Sequence, residues 1–205
     1  MLQLYFNPPK SSWSLRVWIL LKTLNIPFEP KIVRYQSNLN AQRQQFQQFS
    51  PTAKIPVLVD NDHTIWDSLA ITEYVAESYP QVWTEDKAAR AWSRSACAEM
   101  HSGFNVLREI CDFRPLDRIT LADIPDELVH ELTRLDVLWQ EGLNRFASNF
   151  LASEQFTAVD AFFVPIALRI ETYSLHRYFS EESLVYQRRL LALPELKMWL
   201  QGYEY

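Results

Sequence analysis

The stretch LQLYFNPPKSSWSLRVWILLKTL, residues 2–24, contains the two elements that decide the fold. Leu2 to Phe6 is a short, largely apolar run typical of a strand, and the prolines that follow Asn7 end it. Ser11 to Leu24 predicts a helix, with Ser11 or Ser12 as its N-cap and apolar residues at helical spacing. A strand followed directly by a helix is the first half of a βαβ unit.

The next segments extend this start into a small mixed sheet. Phe28 to Val33 predicts a second strand, parallel to the first because a helix connects the two. The polar, Gln-rich segment from Gln36 to Phe49 is expected to be irregular or weakly helical. Residues 55–59 and 63–66, IPVLV and HTIW, have the pattern of the two arms of a β-hairpin.

A further helix completes this unit, since Asp67-Ser68 can cap a helix from Leu69 to Glu77. The order βαβ, hairpin, helix describes a thioredoxin-like α/β layer. Pro56 lies at a strand start, where proline is tolerated and a cis bond can occur. With a cis bond, Ile55 would present its N–H and C=O outward, where an extended peptide could pair with them.

The second half of the chain has a different character, because long helical patterns replace the strands. These patterns run over Lys87–Glu109, Pro125–Phe150, Thr157–Tyr173 and Leu184–Leu200, the last interrupted by Pro194. The sequence therefore predicts an α/β thioredoxin-like domain over 1–80, a linker over 81–86 and an all-α helical domain over 87–205.

Composition excludes several classes of function. The 205 residues carry a net charge of -5 without any Lys/Arg run, which argues against nucleic acid as a partner. No stretch approaches the roughly 20 apolar residues of a membrane span, and the start is no signal peptide. Cys97 and Cys111 are far apart, so neither a disulfide nor a metal site is expected, and a cytoplasmic location is the default. Three glycines are too few for a phosphate-binding loop.

The serines Ser11, Ser12 and Ser14 lie at the start of the first predicted helix. Taken alone, they are ordinary N-capping residues. A helix N-terminus also offers free N–H groups and a positive potential to an anion, and a hydroxyl there can donate to a thiolate. Likewise, Lys54-Ile55-Pro56 alone is a strand start and Asp67-Ser68 an ordinary cap. Together with a helix N-terminus, Asp67-Ser68 would suit the ammonium and carboxylate of an α-amino acid.

In combination, these motifs resemble the glutathione-binding domain of cytosolic glutathione transferases. Residues 11–17, SSWSLRV, are similar to the serine motif of the zeta class, the maleylacetoacetate isomerases. SPTAKIPVL at 50–58 and DSLAITEY at 67–74 follow in the order typical of the family. FTAVDAF at 156–162 is similar to its N-capping box, with Thr157 as the cap and Asp160 at N3. The resemblance covers nearly the whole chain.

The resemblance implies a role for each matching residue. Ser11 would stabilise the thiolate of glutathione, with Ser12 next to it as the alternative, and Trp13 would contact the tripeptide. Lys54 would bind the glycine carboxylate. Ile55, beside Pro56, would pair with the cysteinyl backbone. The γ-glutamyl end would be held by Asp67 and Ser68. Glutathione would be the co-substrate, with no metal.

Three positions depart from the zeta pattern. Trp13 replaces the cysteine of the motif, which weakens the case for isomerase activity. Asp67 stands where zeta enzymes have glutamine, which favours glutathione binding in the manner of other classes. Ala53 occupies the usual position of a glycine.

The pocket for the electrophile is expected between the domains, where the sequence is less specific. His101 and Arg108, about two helical turns apart, could share one helix face, with Phe104 nearby. A lone helical histidine is more often structural, and Trp92, Phe104 and Phe113 fit a core better than a pocket. Cys97 is expected to be a buried small hydrophobe.

The resulting interpretation is a glutathione transferase that promotes attack of the thiolate on a small electrophile. A homodimer is expected from the resemblance. The alternatives are a glutathione-dependent isomerase or peroxidase, and a non-catalytic interaction or stress protein with the same fold.

Overall fold

A computed structural model describes residues 1–202 of the chain. Its four strands are β1 (Gln3–Phe6), β2 (Glu29–Ile32), β3 (Val57–Asp60) and β4 (His63–Trp66). They form one sheet in the order β2-β1-β3-β4, in which β1 is parallel to β2 and the other two pairings are antiparallel. The expected βαβ unit and hairpin are therefore present.

Helices make up most of the remaining structure. They are α1 (Ser12–Thr23), α2 (Leu39–Phe46), α3 (Ser68–Ser78), α4 (Lys87–Ser102), α5 (Asn105–Ile110), α6 (Asp126–Phe146), α7 (Ala158–Thr172), α8 (Glu181–Leu191) and α9 (Pro194–Leu200). In the described part of the chain, the only β pairing after β4 is a single bridge between Phe150 and Ser153. The expected fold class, a thioredoxin-like layer followed by helices, is confirmed. The domain limits at residues 80 and 87 stay predictions.

Three helical segments differ from the expectation. The pattern over Lys87–Glu109 forms two helices rather than one, because Gly103 is extended and Phe104 adopts a left-handed conformation with φ 58°. The Gln-rich segment contains a regular helix, α2, whose N-terminus is capped by the Asn38 side chain. The last pattern also forms two helices, because Pro194 begins α9.

The first helix lies at the centre of the core. It packs against β1, α3, α7 and α9, and every residue from Ser14 to Leu21 is buried. Trp18 and Trp199 are fully buried where α1 meets α9, with ring centroids 5.2 Å apart. The start of α1 is thus held rigidly, while its first residues stay accessible. Within residues 1–202, no helix is both long enough and apolar enough to cross a membrane.

A buried carboxylate fixes the start of α7. Asp160 accepts hydrogen bonds from the backbone N–H groups of Thr157 and Leu151 and from the Tyr186 hydroxyl, all at 2.9 Å. The expected capping box of Thr157 and Asp160 is confirmed. Burial raises the pKa of Asp160 to about 7, against the lowering effect of these hydrogen bonds. One side chain therefore joins the loop before α7 to α8.

Replacing Asp160 by Asn should destabilise the protein by about 1–3 kcal/mol, since an amide NH2 would then face a hydrogen-bond donor. Asp160→Ala, which removes the acceptor of all four donors, including the Thr157 hydroxyl, should cost more. Chemical denaturation provides the measurement. Asp126→Asn is the control, because Asp126 is exposed in the first turn of α6 and should change stability by less than about 0.5 kcal/mol. Equal losses in Asp160→Asn and Asp126→Asn would contradict the assigned role.

Candidate functional site

A cleft of about 550 Å³ opens where α1, the loop before β3 and the start of α3 meet. Six of the residues singled out from the sequence line it: Trp13, Lys54, Ile55, Pro56, Asp67 and Ser68. They come from three segments that are distant in the chain, so the fold brings the separate motifs together. Two charged side chains line the cleft, Lys54 and Asp67.

A second pocket of about 250 Å³ adjoins the cleft and shares Trp13 and Tyr35 with it. Ser11 and Ser12 line this pocket rather than the cleft. Arg108 lines it as well, from α5. The start of α1 therefore lies at the junction of a long cleft and a small cationic pocket.

The two serines have different environments. Ser11 is buried and is the N-cap of α1, its hydroxyl oxygen accepting the backbone N–H of Ser14 at 3.2 Å. An accepting hydroxyl still has its own hydrogen to donate. Ser12 is the first residue of α1 and is half-buried. Its hydroxyl makes no hydrogen bond within residues 1–202. The capping interpretation is thus correct for Ser11, whose buried hydroxyl also hydrogen bonds the Tyr35 side chain. The Ser12 hydroxyl is free to donate to a ligand, and that of Ser11 would have to exchange Tyr35 for the ligand.

The loop before β3 presents backbone groups to the cleft. The Ile55–Pro56 peptide bond is cis, as expected. Ile55 precedes the first paired residue of β3, Val57, and its N–H and C=O have no partner in the described part of the chain. The Ser50 hydroxyl braces the loop, because it donates to the C=O of Lys54 at 2.7 Å and accepts the N–H of Lys54 at 3.1 Å. The cleft therefore has a free backbone edge that an extended peptide can pair with.

Asp67 adopts an unusual backbone conformation at the start of α3. Its φ of 76° and ψ of 134° lie in a region sparsely populated by residues with side chains, at a cost of about 1–3 kcal/mol. Its side chain caps α3 by accepting the N–H of Leu69 at 2.8 Å and that of Ala70 at 3.4 Å. This geometry holds a carboxylate at the rim of the cleft, directly before the buried Ser68.

A buried cation lies behind the site. Arg16 of α1 is fully buried, and its guanidinium carbon lies 4.4 Å from the Trp13 ring centroid and 4.8 Å from that of Phe162. It also donates to the Ser68 hydroxyl at 3.5 Å. Burial lowers the pKa of Arg16 to about 9, so the group still carries its charge at neutral pH. The positive charge is therefore fixed close to the start of α1.

The expected electrophile pocket of His101, Phe104 and Arg108 does not form one wall. Because the chain breaks at Gly103, His101 and Arg108 lie on different helices and not on a shared helix face. Phe104 is buried in the core and lines neither cavity. Arg108 reaches the small pocket, and its guanidinium carbon lies 5.0 Å from the Trp13 ring centroid. His101 contacts Trp13 and Asp67 instead.

Several lining residues were missed from the sequence. In the cleft these are Tyr35, Gln42, Phe46, Thr52 and Trp66, and in the small pocket Lys10, Asp112 and Arg169. Phe113, expected in the core, is half-buried and lines the small pocket too. Adjacency to a motif could have indicated Lys10, directly before the serines, Thr52, within the motif at 50–58, and Trp66, directly before Asp67. Tyr35, Gln42, Phe46, Asp112 and Arg169 come from segments without a motif.

The two cysteines lie outside both cavities. Cys97 and Cys111 are free and buried, as expected for Cys97. Burial raises the pKa of the Cys111 thiol to about 11 and that of Cys97 well above its ordinary value. Neither thiol is therefore suited to act as a nucleophile.

Comparisons with known proteins agree with this geometry. Residues 10–78 match the family model of the glutathione S-transferase N-terminal domain. The chain is 25% identical over 160 residues to probable maleylacetoacetate isomerase 1 of Drosophila melanogaster, covering 77% of this chain and 64% of that protein. It is 31% identical over 156 residues to human glutathione S-transferase theta-1, covering 70% of this chain and 63% of that one. The chain thus spans less than two thirds of the length of these curated relatives.

Solved structures show the same fold. Glutathione transferase F7 from Populus trichocarpa superposes with a TM-score of 0.73 at 20% identity, with 100% of both chains covered. A glutathione transferase homolog from Burkholderia, solved with bound glutathione, has a TM-score of 0.68 at 21% identity, covering 98% of this chain and 97% of that one.

The contrast between the two serines predicts different effects on stability. Ser11→Ala removes the cap of α1 and should lower the free energy of unfolding by about 1 kcal/mol. Ser12→Ala removes no hydrogen bond within the described residues and should change it by less than about 0.5 kcal/mol. Chemical denaturation of the two variants beside the unmodified chain checks both values. A larger loss for Ser12→Ala than for Ser11→Ala would contradict the assignment of the cap.

Proposed function

We propose that this chain, which belongs to the glutathione S-transferase family, binds glutathione in the cleft and promotes attack of its thiolate on a small electrophile. The observation that carries the proposal is the convergence of Lys54, Ile55 and the Asp67-Ser68 pair on one cleft that ends at the N-terminus of α1. Each of them complements a different part of an extended γ-glutamyl tripeptide.

Charge and hydrogen bonding determine the orientation of the tripeptide. Lys54 would pair with the glycine carboxylate, and the N–H and C=O of Ile55 with the cysteinyl backbone. At the other end, the ammonium of the γ-glutamyl group would meet Asp67, and its carboxylate the N-terminus of α3 beside Ser68. This orientation directs the sulfur to the start of α1, where the two cavities join.

Thiolate stabilisation is the chemical contribution of the protein. A free thiol has a pKa of about 8.5, so only a small fraction is ionised at pH 7. The Ser11 hydroxyl, with Ser12 as the alternative donor, would hydrogen bond the sulfur, and the positive end of α1 adds to this. Arg16, Arg108 and Arg169 surround the same region and favour an anion there.

The reaction itself needs no covalent intermediate with the enzyme. The thiol proton leaves to solvent, and the thiolate forms a C–S bond with the electrophilic carbon. The electron pair of the broken bond leaves with the departing group. Proximity and a stabilised nucleophile supply the acceleration. We place this chemistry in the cytoplasm, where glutathione keeps thiols reduced.

A glutathione-dependent isomerase is the second candidate, favoured by the similarity to a probable maleylacetoacetate isomerase. Trp13 in place of the motif cysteine argues against it. A glutathione peroxidase would use the same bound thiolate. The non-catalytic alternative is disfavoured because an interaction module has no need of Ser11, Lys54 and Asp67 together. Calorimetric titration with glutathione, followed by conjugation, isomerisation and peroxide-reduction assays, separates these functions. Absence of glutathione binding would overturn the proposal.

Ser11→Ala should lower turnover in the conjugation assay about ten- to hundredfold, which corresponds to roughly 1.4–2.8 kcal/mol of barrier. The affinity for glutathione should change little, because Lys54, Ile55 and Asp67-Ser68 provide most of the binding. The rate per folded molecule should also need a higher pH, since the bound thiol then ionises less readily. Steady-state kinetics as a function of pH measure both effects.

Ser12→Ala should have a milder effect, and Ser95→Ala, on an exposed part of α4, serves as the control for the substitution. An unchanged pH profile in Ser11→Ala alone would assign the role to Ser12 or to the helix N-terminus. Unchanged profiles in both Ser11→Ala and Ser12→Ala would exclude a serine as the thiolate donor.

A homodimer is part of the proposal, on the basis of family membership. Trp66 of β4 supports it, because its side chain is 45% exposed beside the groove formed by Thr64, Ile65, Leu69 and Ala70. Sedimentation at micromolar concentration should give twice the mass of the chain, and Trp66→Glu should weaken the association. A monomer under these conditions would contradict the proposed dimer.

A further inference from the structure

One side chain of the helical half reaches the rim of the cleft. The Nε2 atom of His101, in α4, lies 3.3 Å from the Oδ2 atom of Asp67. The same imidazole meets the Trp13 ring edge-on, with centroids 5.1 Å apart and an angle of 89° between the planes. His101 therefore contacts two of the residues that line the cleft without lining it itself.

The carboxylate of Asp67 has a limited number of acceptor positions. Its two oxygens offer about four. The N–H groups of Leu69 and Ala70 both bind Oδ1, and His101 approaches Oδ2. Oδ2 therefore keeps an acceptor position for a ligand at the rim of the cleft. Within residues 1–202 the His101 imidazole contacts that oxygen at 3.3 Å without the alignment of a hydrogen bond. Its packing against Trp13 and Asp67 restricts the direction in which Oδ2 faces.

The surroundings of the ring determine its protonation state. Nδ1 is buried and has no hydrogen-bond partner within the described residues, so a proton there would have no acceptor. Burial lowers the pKa of His101, the Asp67 carboxylate opposes this, and the Arg16 and Arg108 guanidiniums lower it further. The ring is consequently neutral at neutral pH and carries its proton on Nε2, the nitrogen that faces Asp67. Asp67 thus keeps its full negative charge for a cation.

We propose that His101 is a positioning residue for the ammonium group of the bound tripeptide, acting through the Asp67 carboxylate that it orients. The inference rests on the proposed function, because it takes the γ-glutamyl end to lie at Asp67. It assigns to the helical half of the chain a part in recognising the amino-acid end of glutathione. Without His101, only the start of α3 and its cap Asp67 would recognise that end.

The test compares two ligands, glutathione and its analogue in which a glutaryl group replaces γ-glutamyl, so that the ammonium is absent while the terminal carboxylate remains. His101→Ala should weaken glutathione binding about tenfold in calorimetric titrations, while the affinity for the analogue stays the same. His101→Gln, which keeps a polar N–H group near Asp67, should restore binding to within about threefold of the unmodified chain. Combined with Asp67→Asn, His101→Ala should cause no further loss.

The pH dependence gives a second readout. As pH falls below the ordinary histidine pKa of 6.5, His101 becomes charged, neutralises Asp67 and repels the ligand ammonium. Affinity for glutathione should therefore decrease between pH 7 and pH 5 in the unmodified chain and stay more nearly constant in His101→Gln. His176→Ala is the matched control, because His176 pairs with Glu171 at 3.0 Å away from both cavities.

Equal losses for the two ligands in His101→Ala would show a purely structural role and overturn the inference, as would unchanged affinity for both. In either case the unmodified chain still binds glutathione, so the proposed function stands. If the unmodified chain binds no glutathione, the proposed function fails and the inference fails with it. Thermal midpoints of the variants identify any loss that arises from unfolding.

Discussion

The first helix must be buried on nearly every side while its N-terminus stays open to a ligand, and much of the structure follows from this constraint. The sheet covers one side of α1, and α3, α7 and α9 cover the others, so that only its ends are accessible. Of its first residues, Ser12 and Trp13 line the cavities, while the N–H of Ser14 is capped by the Ser11 hydroxyl. The residues proposed to act on a ligand accordingly lie at the start of α1 and at the start of α3.

The buried guanidinium of Arg16 is part of the core and also places a positive charge close to the start of α1. No carboxylate pairs with it in the described part of the chain, and its contacts are the rings of Trp13 and Phe162 and the Ser68 hydroxyl. Such burial costs free energy unless other interactions offset it. Ring faces offset part of this cost, because their quadrupoles attract a cation. The remaining unneutralised charge favours an anion at the start of α1, where the thiolate is proposed to form.

Local signals predicted the first half of the fold well, because strand, cap and turn are each encoded within a few residues. The segment of α2 was expected to be irregular or weakly helical, because its residues are nearly all polar and show no apolar periodicity. The break at Gly103 was not predicted, because the left-handed conformation of Phe104 is not a local preference of phenylalanine. In the site, the motif residues at 11–13, 54–56 and 67–68 were found. Tyr35, Asp112 and Arg169 were not, because only tertiary packing brings them to the small pocket. The same break placed His101 and Arg108 on separate helices, which a periodicity argument could not detect.

Two residues that line the cleft, Ala53 and Asp67, have a strained backbone. Comparing them shows whether the side chain at each position justifies the strain. Both have positive φ, 54° and 76°, where glycine would fit with less strain. At Ala53 the side chain is a methyl group without a polar contact, so a glycine could replace it without removing any hydrogen bond or charge. At Asp67 a glycine would relieve the backbone but remove the carboxylate that caps α3 and contacts His101. Because only its side chain justifies the strained backbone of Asp67, we infer that the carboxylate itself is needed at the rim of the cleft.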